Sequence, residues 1–262
     1  MREALILTYH AVEPGPPPLC VEPELFRAHV DALVDSGAHT LTLSELAAAA
    51  ADDAIPERAV AITFDDGCAS VARFAGPLLS ERGLSATVFC VSGHLGGVTD
   101  WPTQPPDVPV FELARAEELE ELAGMGIEIG SHGVEHFPLA FASEERAHEE
   151  LIESKHALEQ AVGVPVRTFA YPYGAPPSPA ARALVPEAYS AACGVRLGIM
   201  DADSDAFALP RVDVHYLRRP ELLRRAVAGG LRAYLRARSV GARARRLVKT
   251  DYDEPEAQPA AP

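Results

Sequence analysis

The chain has 262 residues, 48% of them apolar, and a formal net charge of −15. That length can bury one barrel-sized core, and the negative balance argues against nonspecific binding to nucleic acid. No apolar run approaches the roughly 18 residues that a membrane span needs, and four cysteines without paired spacing read as thiols of a reducing compartment.

In chain order, the apolar run Ala4–Thr8 reads as a first strand, ending at Tyr9-His10. Met1-Arg2-Glu3 lead straight into it, so no leader is read and a cytoplasmic protein is expected. Pro23–Ser36 reads as a helix stopped by Gly37. Ala59–Phe64 is a second strand, and Asp65-Asp66-Gly67 follow it at once. Two adjacent carboxylates at a strand end repel each other and lose water as a site closes, although Asp-Asp-Gly also suits a plain turn. Cys68 behind them reads as a small packing residue. A helix over Ser70–Arg82, stopped by Gly83, precedes a strand at Ala86–Val91. The Gly- and Pro-rich stretch Ser92–Val110 holds the only tryptophan, Trp101, and reads as a loop over the mouth of the fold.

A strand at Ile127–Gly130 runs into Ser131-His132-Gly133-Val134-Glu135-His136. If that stretch makes one helical turn, His132 and His136 face the same way. Their spacing then suits a divalent metal, with ring nitrogens at roughly 2.0–2.1 Å for zinc. One of the two strand-end aspartates can complete an open three-ligand site while the other stays free as a base. Ser143 opens a helix running to about Val162, and Val166–Ala170 is a strand entering Tyr171-Pro172-Tyr173-Gly174. That turn is rigid and can present a backbone N–H to an oxyanion, or be a plain strand-to-helix turn. A last strand is read at Val212–His215, and His29, His39, His94, His148 and His156 read as surface or loop residues. Alternating strands and helices imply a parallel sheet, and each suspected residue lies just after a strand, where a (β/α) barrel builds its site.

Thr63-Phe64-Asp65-Asp66-Gly67, the spaced histidines and the Pro-Tyr-Gly turn, in this order, resemble the polysaccharide deacetylases, carbohydrate esterase family four. The resemblance runs from about Ala4 to Tyr216 and includes Leu7-Thr8-Tyr9-His10 and Ala86-Thr87-Val88-Phe89. It implies a distorted (β/α) barrel of about seven strands, with the active site at the C-terminal strand ends. It further implies Asp65 as general base, Asp66, His132 and His136 as ligands of a divalent metal, most plausibly zinc, and the Tyr173 N–H as oxyanion donor. Gly133 departs from the family's usual Ser/Thr. Ala170 stands where many members carry an Arg that tunes the catalytic Asp, as in the Tyr-Pro-Tyr-Gly branch. Arg211 can supply that charge from another strand or form a surface salt bridge. His215 is the best-placed general acid, with His10 second. Trp101, Tyr171 and His10 are the candidates for contact with substrate, and Trp101 either stacks on a sugar ring or anchors its loop. The implied reaction removes the N-acetyl group of an amino sugar in a glycan, oligosaccharide or precursor, leaving acetate and a free amine. The rivals are an amidohydrolase or esterase on a non-sugar or O-acetyl substrate, and a non-catalytic glycan-binding barrel.

The C-terminal part differs in character. Residues 216–250 carry eleven basic side chains and one acid, whereas residues 1–215 carry twelve basic and thirty-three acidic ones. The expected organisation is a barrel over 1–216, a basic helical segment over 217–250 docked on the acidic barrel, and a disordered tail over 251–262. Contact of the basic segment with an anionic membrane surface is the less favoured alternative.

Overall fold

The computed structural model describes residues 3–104, 107–174, 176–235 and 237–238. All strand pairings are parallel. Strand β1 (Ala4–Tyr9) pairs on one side with β3 (Ala59–Phe64) and on the other with β8 (Leu209–Asp213). Between them run β4 (Thr87–Cys90), β5 (Glu128–Ser131), β6 (Thr168–Ala170) and β7 (Ala191–Leu197), so seven strands close a barrel. Strand β2 (His39–Leu41) pairs only with the N-terminal half of β3. Helices α1 (Pro23–Asp35), α2 (Leu43–Ala51), α3 (Gly76–Glu81), α4 (Ala116–Gly124), α5 (Glu144–His148), α6 (Ser154–Val162) and α7 (Pro179–Ala188) lie in the crossovers. A π-helical turn, Glu149–Glu153, joins α5 to α6.

The alternation of side chains along each strand creates two apolar layers. Leu5, Leu7, Val60, Ile62, Phe64 and Val88 face the helices. The second layer mixes small residues, Ala4, Ala59, Ala61, Ala170, Ala191 and Cys193, with larger ones, Ile6, Phe89 and Leu209. Phe89 fits because Gly130 stands opposite, where a Cβ would fall 2.5 Å from the ring. The alanines of this layer leave room for one long side chain, Arg211, which is 1% exposed and lies beside Phe89 at 5.9 Å.

Several sequence expectations need revision. Strands β2 and β7 were not anticipated, because one has three residues and the other is mostly small. The last strand stops at Asp213, and His215 falls in the 3-10 turn Val214–Leu217. His29 is not a surface residue. It is 1% exposed, donating from Nε2 to the Arg218 carbonyl (3.0 Å) and accepting at Nδ1 from the Tyr9 hydroxyl (3.0 Å). That bridge ties α1 to the segment leading into α8 (Pro220–Val227), whose Leu223, Ala226 and Val227 are buried, as are Leu231 and Leu235 beyond it. Arg224 pairs with Asp35 and Arg232 with Glu3. Residues 239–262, which hold the end of the basic segment and the tail, lie outside the described residues. Among the described residues no helix is long and apolar enough to cross a membrane.

Candidate active site

The carboxylates of Asp65 and Asp66 diverge because the chain turns left-handed directly after Asp65. Asp66 has φ +70° and Gly67 φ +75°, a region costly for Asp and free for Gly. Asp65, 3% exposed, points into the barrel and meets Arg211 in a two-pronged pair, with both N–H···O distances at 2.7 Å. Arg211 also donates from Nε to the Gly194 carbonyl (2.7 Å) and from Nη1 to the Thr63 hydroxyl (3.1 Å). This is a buried pair, not the surface salt bridge that remained open from sequence. Burial opposes ionisation of Asp65, but the facing guanidinium overrides it and holds the carboxyl well below the usual range. Asp65 is therefore a carboxylate at any working pH.

Asp66 turns the other way. Its Oδ1 lies 3.5 Å from Nε2 of His132 and 3.5 Å from Nε2 of His136. One ligand atom from each of the three residues falls within 4.8 Å of the others, the only such grouping of potential metal-binding side chains among the described residues. The expected helical turn across the histidines is absent. His132 follows β5, Gly133 has φ +89° and His136 φ +52°. Two left-handed residues, not helical spacing, bring the rings to 4.8 Å. His132 donates from Nδ1 to the Ala170 carbonyl (2.7 Å), which leaves the Nε2 lone pair facing Asp66. Burial above all lowers His136 well below its ordinary pKa, which favours its neutral ring. Two neutral imidazoles and a carboxylate converging from three directions are the donor set of an open divalent-metal site, and the residues fit one.

The loop after β4 covers this group. Trp101, 4% exposed, stacks on the His136 ring at 4.3 Å and 27°. Thr103 donates to the His136 carbonyl (3.3 Å), and the Tyr173 hydroxyl donates to the Thr103 carbonyl (2.8 Å). His94, read from sequence as a bystander, bonds Glu135 at 2.9 Å and sits edge-on to Trp101. Stacked on His136 and 4% exposed, Trp101 is packed into its own loop. Tyr171 is likewise withdrawn, since it is 2% exposed and its hydroxyl donates to the Phe207 carbonyl (2.9 Å). Tyr173 has φ +56°, with its ring edge-on to His136 at 4.5 Å. His215 is exposed, its ring against Tyr216 and its N–H given to Asp213 (2.7 Å). His10 is half-buried at the end of β1, within electrostatic reach of Asp65, Asp66 and Asp213. Cys68 is buried, its thiol pushed far up by burial.

A parallel (β/α) barrel thus carries an Asp–His–His cluster and an Arg-held aspartate at its C-terminal mouth, where barrel enzymes build their sites. The polysaccharide deacetylase family model matches residues 52–190, just over half of the sequence, and the chain belongs to that family. It is 29% identical over 213 residues to YxkH of Bacillus subtilis (strain 168), a relative named for the same family. The match covers 80% of this chain and 70% of that protein. The fold resembles the Streptococcus pyogenes deacetylase PplD in complex with acetate, with TM-score 0.68 and 24% identity over 80% of this chain and 91% of that one. It also resembles IcaB from Ammonifex degensii, with TM-score 0.69 and 22% identity over 87% of this chain and 97% of that one.

Proposed function

We propose that the chain removes the acetyl group from an N-acetylated amino sugar, releasing acetate and a free amine. The observation that carries this reading is the convergence of Asp66, His132 and His136 beside a buried, Arg211-held Asp65. Asp66, His132 and His136 would hold one divalent ion, most plausibly zinc, whose Lewis acidity lowers the pKa of a water and polarises the acetyl carbonyl. Asp65 accepts the proton of the attacking water. Its low basicity is offset by fixed placement, since Arg211 leaves it one orientation. The Tyr173 backbone N–H, in its left-handed turn at the mouth, serves as the oxyanion donor. His10 protonates the departing amine, a role its position among Asp65, Asp66 and Asp213 supports better than that of exposed His215. The acetate in the PplD complex is the product this reading expects.

The test is elemental analysis of chelator-free protein together with an acetate-release screen over chitooligosaccharides, nucleotide sugars and lipid-linked sugars. The reading requires about one metal per chain and acetate from at least one N-acetylated sugar. Acetate released only from O-acetyl esters would replace it.

A further inference from the structure

The loop holding the two histidines is gripped from behind by three side chains on one face of the α5–π turn–α6 helix. At one end Ser154 bonds the Ser131 hydroxyl at 2.8 Å. In the middle, Glu150 accepts from the Val134 N–H at 2.7 Å and from the Glu135 N–H at 3.3 Å. At the other end the Arg146 guanidinium lies 4.8 Å over the Phe137 ring and pairs with Glu150 at 2.7 Å. The gripped residues, 131 to 137, bracket His132 and His136, and Glu150 takes two of the three N–H groups between them, the third, of Gly133, going to the Ser131 hydroxyl. The Glu150 side chain is 0% exposed, a costly place for a carboxylate, offset here by two backbone donors and Arg146. It sits in the π turn, where one extra residue per turn pushes the helix face outward.

Gly133 supplies the independent sign. A Cβ on Gly133 would fall 2.3 Å from Glu150 Oε2, and its φ is +89°. The carboxylate therefore occupies the space a side chain after His132 would need, so the departure from Ser/Thr at this position and the buried Glu150 are two halves of one arrangement. We propose that Glu150 is a positioning residue that sets the separation of His132 and His136, so that the pair is preformed for a divalent cation.

This inference rests on the reading of the two histidines as ligands. Its test uses the full chain and two variants, Glu150→Ala and Glu150→Gln. Zinc affinity is measured by chelator competition, and amide hydrogen exchange at Val134 and Glu135 is followed in metal-free protein. Partners behind metal ligands typically contribute 10–100-fold in affinity. Glu150→Ala should lose zinc affinity by that factor and exchange both amides at least about tenfold faster. Glu150→Gln, which keeps one acceptor oxygen and nearly the same volume, should fall between it and the parent, and it decides the matter if Glu150→Ala does not fold. A lowered melting temperature with zinc affinity unchanged would make the residue merely structural and overturn the inference alone. No zinc binding by the parent chain would overturn the ligand reading and this inference with it.

Discussion

Replacing Arg211 with methionine keeps most of the side-chain volume and removes the charge. Asp65 then loses two 2.7 Å charge-assisted bonds while staying 3% exposed, and the Gly194 carbonyl and Thr63 hydroxyl each lose a donor. Breaking a buried ion pair by removing one partner costs about 3–5 kcal/mol, a large share of the roughly 5–15 kcal/mol that holds a domain together. The sign with pH follows from Asp65. In the parent its folded pKa is depressed, so its contribution is present above the unfolded value near 4 and is lost only as pH falls through the folded one. In Arg211→Met, burial loses its main opponent, with only His132 and His10 left to resist it, and the folded pKa is expected above the unfolded value. The variant therefore gains stability as pH falls through that raised pKa. Urea unfolding at several pH values should show a deficit of about 3–5 kcal/mol at pH 8 that shrinks toward pH 5. The double variant Arg211→Met/Asp65→Leu should recover most of it, because no charge remains buried. A deficit below about 1 kcal/mol, or one independent of pH, would refute the account of this pair.

Asp65→Asn should retain the metal yet lose turnover by about 10²–10⁴-fold, and it should also unfold more easily because Arg211 is left unpaired. A dead Asp66→Asn beside a fully active Asp65→Asn would mean the two roles are reversed. His132→Ala and His136→Ala should each abolish stoichiometric metal in elemental analysis, and retention in both would discard the assignment. Trp101→Ala removes the stacking partner of His136, so limited proteolysis should cut sooner between residues 92 and 111, and an unchanged pattern would deny the anchoring role. Truncation after residue 218 strips away Leu223, Val227, Leu231 and Leu235, each contributing about 1.5–3 kcal/mol when fully buried. The melting temperature should drop and a hydrophobic dye should bind. Loss of anionic-vesicle binding with no change in melting temperature would instead favour the membrane-surface role.

The sequence by itself carried the fold class and the donor set. Apolar runs ending in Asp65-Asp66, His132 and Tyr173 repeat one arrangement, strand then functional residue, and a parallel barrel puts those ends on one rim. Local chemistry was legible as well. Ser143, read as opening a helix, caps α5 by accepting the Arg146 N–H, whereas the three-residue β2 left no apolar run to read. Pairings between distant residues were not legible. Arg211 lies 146 residues from Asp65, and only the barrel's closure of β8 onto β1, with room left by the alanines inside, turns a guanidinium of undecided role into a buried partner. The mutual approach of His132 and His136 depends on left-handed backbone at Gly133 and His136, which spacing read as a helix. Trp101, Tyr171 and His215 are chemically able to meet a substrate. Only the fold shows that Trp101 and Tyr171 are buried while His215 is exposed, because burial is set by packing, not by residue type. Spacing along the chain encodes local turns and strand ends, whereas orientation and burial are properties of the closed barrel.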